Sequence, residues 1–158
     1  MATYNRTATG GGTAGHPANA AVPYVITSPV WDTADGGTGG DVIQLVDVPA
    51  DTMIVSGCLE VLEARGNGQI TMDIGFTGGD VDCFVDGSAC AAGFTPFLEA
   101  AVGASCSNAR MLTSADTIDA LILDGGSTGE SALRFRIHVV LADVSRNPVE
   151  SATVSSGT

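Results

Sequence analysis

The stretch DIGFTGGDVDCFVDGSAC, residues 73–90, gathers Asp73, Asp80, Asp82 and Asp86 with Cys83 and Cys90 and contains no lysine or arginine. Carboxylates at this density suggest a hard cation such as calcium, which takes oxygen ligands. An EF-hand loop needs such ligands at positions 1, 3 and 5, glycine at 6 and a bidentate acid at 12. Counted from Asp80, the third residue is Asp82, but the fifth is Phe84, the sixth Val85 and the twelfth Ala91, so that motif fails. An irregular site built from Asp73, Asp80, Asp82 or Asp86 stays open here, against the commoner alternative of solvated loop acids.

The cysteines lie at 58, 83, 90 and 106. Structural zinc sites use close C-x-x-C pairs, and here the nearest two cysteines are seven residues apart. Cys83 and Cys90 either close a small disulfide loop, which would restrict the unfolded chain, or remain buried thiols. Nucleophilic catalysis needs a base beside its nucleophile, and the two histidines are His16 and His138. His16 belongs to a small-residue N-terminal arm, and His138 shares a strand face with Arg134 and Arg136, which makes a polar or interface surface. The chain has no nucleophile elbow, no phosphate-cradling glycine loop with its lysine and no H-E-x-x-H. The expectation is a non-enzymatic protein with no catalytic residue, metal or cofactor.

Charge narrows the partners. Eighteen acidic residues against six arginines and no lysine give a net charge of −12. Nucleic acid and anionic membranes repel such a chain at long range. The start lacks the basic and apolar regions of a signal peptide, and no apolar run approaches the roughly 20 residues of a membrane helix. Synthesis in a cytoplasm is expected, with cysteines reduced at first.

The elements that must position these residues are strands. Among 158 residues, 44% are hydrophobic, 15% charged and 21 are glycine, which suits short strands and tight turns. Residues 1–21, rich in Ala, Thr and Gly, read as an extended arm that is mobile alone and orders against a neighbour. VPYVITSPVW (22–31) is an interrupted edge strand, and DVIQLVDV (41–48) has β-branched residues on both faces. MIVSGCLEVLEA (53–64) places Met53, Val55, Leu59 and Val61 on one side. QITMDIGF (69–76) points Ile70, Met72, Ile74 and Phe76 inward and Asp73 outward. With RGNG between them, these two read as a hairpin. DVDCFVD is a candidate strand and FTPFLEAAVG a short helix or an excursion between strands. Residues 115–125 form a further strand. The last, 131–144, sends Leu133, Phe135, Ile137, Val139 and Leu141 to one face and Arg134, Arg136 and His138 to the other. Six to eight short strands with no helical period argue for an all-β antiparallel β-sandwich over 22–144, jelly-roll-like, with a loose tail over 145–158.

In order, DVIQLVDVPADTMIVSGCLEV, GQITMDIGFTGGDVDCFVDGSA, TSADTIDALIL and ALRFRIHVVLADV resemble small β-sandwich virion proteins of tailed bacteriophages, the capsid decoration (cement) and head-fibre proteins. PADTMIV, ITMDIGF, SADTIDALIL and RIHVVLADV carry the resemblance, over roughly residues 41–144. The cysteine-rich stretch 83–106 and the Arg/His face of the last strand depart from it. The resemblance implies a homotrimer on the outer capsid surface that clamps major capsid protein subunits. Under that reading, residues of the arm (Tyr4, Arg6, His16) and of the last strand (Arg134, Arg136, His138) are expected at a subunit or capsid interface. The alternatives carried are another virion part (head fibre, neck or tail, with a host-binding role) and a carbohydrate-binding sandwich module.

Overall fold

A computed structural model describes residues 3–8, 23–32, 39–64, 70–76, 78–97, 111–124 and 133–144. Among these there is no helix. The strands are β1 (Thr3–Ala8), β2 (Tyr24–Thr27), β3 (Trp31–Asp32), β4 (Val42–Val48), β5 (Thr52–Glu63), β6 (Thr71–Phe76), β7 (Val85–Ala89), β8 (Gly93–Pro96), β9 (Met111–Leu112), β10 (Asp116–Asp124) and β11 (Arg134–Asp143).

They form two sheets. One has the order β1-β4-β10-β6-β7; the other has β2-β11-β5-β8, with β3 also pairing β11 and β9 also pairing β5. The pairs are nested. β2 and β3 meet β11, inside them β4 meets β10, then β5 meets β8 and β9, and innermost β6 meets β7. Successive pairs alternate between sheets, so the chain is one long antiparallel hairpin rolled up on itself. That is the jelly roll expected from the sequence.

The nesting removes one expected element. The hairpin foreseen between 53–64 and 69–76 does not form, because β5 pairs with β11 and β6 with β10 in the opposite sheet. Between Glu63 and Thr71 the chain crosses from one sheet to the other. Alternating strands flanking a turn describe both arrangements equally well, so the local pattern does not distinguish them.

The core lies between the sheets. Phe135, Ile137, Val139 and Leu141 on β11, with Leu133 just before it, are fully buried, as their alternation requires. On β5 the alternation breaks. Val140 pairs Ser56 and Leu141 pairs Ile54, leaving Val55 as an extra residue. Such a bulge reverses which residues face the core. Leu59, Val61 and Ile54 are therefore buried, whereas Met53 and Val55, expected beside Leu59, are exposed on the other face. β4 has a similar shift: Ile118 pairs Val46 and Asp119 pairs Gln44, and Leu45 and Val46 are both buried.

The acidic stretch docks onto β6. The main-chain N–H of Phe76 donates to the Asp80 carbonyl at 2.9 Å, and that of Phe84 to the Ile74 carbonyl at 2.8 Å. Phe84 enters the core, edge-on to Phe76 (centroids 5.2 Å apart) and stacked on Phe97 (4.8 Å). Phe97 lies under Gly57, where a Cβ would come within 2.4 Å of its ring. Asp73 keeps the outward side of β6 but is buried, not exposed, because the following chain covers it. The N–H of Gly87 donates to its carboxylate at 2.7 Å. DVDCFVD contributes its last two residues to β7 and otherwise forms turns, and FTP of the expected helix or excursion is β8. The rest of that segment, 98–103, lies outside the described residues.

Part of the expected arm is ordered on the chain itself. β1 pairs in parallel with β4, Thr3 opposite Val42 and Asn5 opposite Gln44. The rest of the arm, 9–21, and the tail, 145–158, lie outside the described residues.

Candidate interaction face

Alternation on β11 turns Arg134, Arg136, His138 and Val140 away from the core, onto the outer face of the β2-β11-β5-β8 sheet. The ladder then fixes their neighbours: Asp32 and Glu63 beside Arg134, Glu60 beside Arg136, Cys58 and Thr27 beside His138. Glu60 accepts from the Arg136 guanidinium and from His138 Nε2, the latter at 2.9 Å. With Nε2–H donating to Glu60, His138 Nδ1 is left to accept from the Thr27 hydroxyl, also at 2.9 Å. Arg134 is more loosely held, its Nε 3.8 Å from Asp32. The Arg136 hydrogen bond, then that of His138, holds the Glu60 carboxyl below its ordinary range. Burial, and secondarily Glu60, pushes the Cys58 thiol up.

The network therefore contributes stability that depends on pH. A carboxyl whose pKa is lowered by folding stabilises the native state above its unfolded value, and the contribution disappears as pH falls through the folded value. The wild type is expected to exceed Glu60→Gln in urea midpoint at neutral pH, the gap closing below the ordinary glutamate pKa of about 4.3. A gap that stays constant through that region and below it would show that Glu60 carries no such linkage.

Thr27, His138 and Glu60 have the connectivity of a hydroxyl–imidazole–carboxylate relay. Two features argue for a positioned surface patch. Arg136 shares the carboxylate, so Glu60 is not dedicated to orienting the imidazole. The relay also lies on an open sheet face rather than in a cleft that would orient a substrate.

The same face carries most of the exposed apolar surface. Of the seven large apolar residues exposed among the described ones, six are here: Val25, Met53, Val55, Leu62, Phe94 and Met111. Phe94 on β8 sits opposite Glu60, with its ring 6.4 Å from that of His138. Val25 sits opposite Val140, and Met53 opposite Met111. The outer face of the other sheet is different. It presents Gln44, Asp47, Asp86 and Thr117, with Asp73 and Asp119 buried on that side, and its one large exposed apolar residue among those described is Leu123.

The sequence-predicted residues are only partly brought together. Arg134, Arg136 and His138 form one cluster. Tyr4 and Arg6 lie on β1 at the edge of the other sheet, and His16 lies outside the described residues. Sequence reasoning missed Glu60 and Thr27, which reach the cluster only through strand pairing. It also missed Val55, whose side is set by a bulge, and Phe94, which sat in a segment with no clear period.

Among the described residues, no group of three His, Cys, Asp or Glu side chains is placed to hold a metal ion. A side-chain hydrogen bond with Asp80, and secondarily burial, raises the Asp82 carboxyl's pKa. Cys83 and Cys90 are thiols, not a disulfide, and both are buried. Burial pushes the Cys90 pKa up to about 12.

No family model matches the chain, and no curated protein does. Solved structures match. A chain in the capsid of Ralstonia phage GP4 superposes with a TM-score of 0.63 at 18% identity, covering 89% of this chain and 97% of that one. A chain of the cyanophage Pam1 capsid asymmetric unit gives 0.59 at 13%, covering 86% and 96%. A chain of the acidic stable capsid of Helicobacter pylori bacteriophage KHP30 gives 0.55 at 17%, covering 77% and 87%. At these identities the likeness is one of fold, and it falls on phage capsid chains, the class of particle to which the strand and turn motifs pointed.

Proposed function

We propose that the chain is a non-enzymatic structural protein of a phage virion, which decorates the outside of the capsid and bridges major capsid subunits. The observation that carries this reading is the two-way coverage in the structural likeness. Nearly all of each matched capsid chain corresponds to nearly all or most of this one. Each is thus a single sandwich of similar size. The charge of −12 suits the outer side of a shell, away from packaged DNA. A homotrimer at shell symmetry positions would turn modest single contacts into avid attachment. No helix among the described residues is long and apolar enough to cross a membrane. A sugar-stacking platform is poorly supplied, because Trp31, the one tryptophan, is buried.

Location and copy number in purified particles test the reading. Decoration expects copies over the whole head surface, in proportion to the major capsid protein. A few copies at one vertex, neck or tail would replace it with the alternative of another virion component.

The arm has its own test. Deleting residues 1–21 removes β1 and uncovers the edge of β4, so the sandwich is expected to fold with reduced stability and to occupy heads less. Full occupancy by the truncated protein would remove the arm from the attachment mechanism.

A further inference from the structure

We infer that the outer face of the β2-β11-β5-β8 sheet is covered by the same face of further copies of this chain, packed around a symmetry axis. This rests on reading the chain as an assembly subunit, and it names what that subunit's apolar face meets.

Monomeric proteins seldom leave a large contiguous apolar patch in water. Val25 and Val140 on β2 and β11, Val55 and Met53 on β5 and Met111 on β9 form a band across four strands. Phe94, 68% exposed, and Leu62 lie on the other side of the Arg136–Glu60–His138 cluster. An apolar band is best covered by another. On the described surface of this protein, the remaining sheet face offers only Leu123 in exchange.

Charge selects the same pairing. Two copies of a −12 chain repel each other over most approaches. The outer face of the β1-β4-β10-β6-β7 sheet adds the carboxylates of Asp47 and Asp86, while Asp73 and Asp119 on that side are buried. On the inferred face, Arg134 and Arg136 stand against Asp32, Glu60 and Glu63, so the signs nearly balance. Arg134, with its side chain 47% exposed and held to Asp32 at only 3.8 Å, is placed to reach a carboxylate across the contact. A symmetric contact lets each copy offer and receive that interaction.

Sedimentation velocity of the full chain over a wide concentration range tests this. The wild type is expected to form a defined multimer. Phe94→Glu and Val55→Glu, both at exposed positions, should each weaken it at least about 30-fold, as loss of an interface anchor does. Leu123→Glu, on the opposite sheet, should leave it unchanged, and thermal melts confirm that each variant is folded. A wild-type chain that stays monomeric at every concentration overturns the inference, whatever the variants do. So does a multimer that Leu123→Glu dissolves and Phe94→Glu does not. A multimer insensitive to Phe94→Glu, with head attachment lost, would assign the face to the shell instead. Head occupancy is read separately: a multimer absent from particles would sink the decoration role alone.

Discussion

Truncating Phe84 to alanine is expected to destabilise the protein by about 3–5 kcal/mol, the usual range for a buried phenylalanine. Its ring is 7% exposed and joins Phe76 on β6 to Phe97 beside β8, so it ties the two sheets together at one end of the sandwich. Its loss leaves a cavity lined by two rings that the backbone of β6 and Gly57 hold in place. Denaturant unfolding should show a lower midpoint with an unchanged slope. A second readout is chemical. Burial raises the Cys90 thiol to about 12, so it should resist alkylation in the wild type. In Phe84→Ala, local opening of 83–90 should let Cys83 and Cys90 react well before global unfolding. A loss below about 1 kcal/mol, with both thiols still protected, would mean that Phe84 does not anchor this segment.

The second large effect is expected at Gly75. A Cβ there would lie 2.2 Å from the Asp80 carbonyl oxygen and 2.5 Å from the Val81 carbonyl carbon. Both obstacles are main chain, so no rotamer change relieves the overlap. Gly75→Ala is therefore expected to cost about 1–3 kcal/mol or more by overpacking and to lift the loop off β6. The Phe76–Asp80 and Asp73–Gly87 hydrogen bonds should then weaken, with faster amide exchange at residues 76–87. Gly78→Ala is the control, since the nearest atom to its Cβ is the Asp116 carboxylate at 3.3 Å, which can rotate aside. Equal stability of the two variants would contradict the docking of this loop.

Strand identity was legible wherever one face is buried and the other wet, as on β11, because burial and alternation coincide there. Pairing was not. RGNG between two alternating segments fits a hairpin and a sheet crossing alike, and only distant contacts choose between them, such as Phe76 with Ile118 and Arg136 with Glu60. Bulges hid the facing of Val55 for the same reason: the extra residue exists only relative to a partner strand. Asp73 was placed on the correct side of its strand, yet its burial depends on a later loop returning over Gly75. The candidate site was half legible. Arg134, Arg136 and His138 followed from alternation, whereas Glu60, Thr27 and Phe94 needed the register of three other strands.

The nested pairing also sets when this protein can fold. Its outermost pair closes residues as far apart as Thr27 and His138, 111 positions along the chain. Topologies dominated by such distant pairs fold slowly, in milliseconds to seconds. β11, the partner of β2, β3 and β5, is the last strand of the roll, and its inward residues are all fully buried. A nascent chain that has reached only β10 has exposed the apolar lining of both sheets without the strand that completes one of them. The interval before β11 inserts is therefore when this chain is expected to be most open to aggregation.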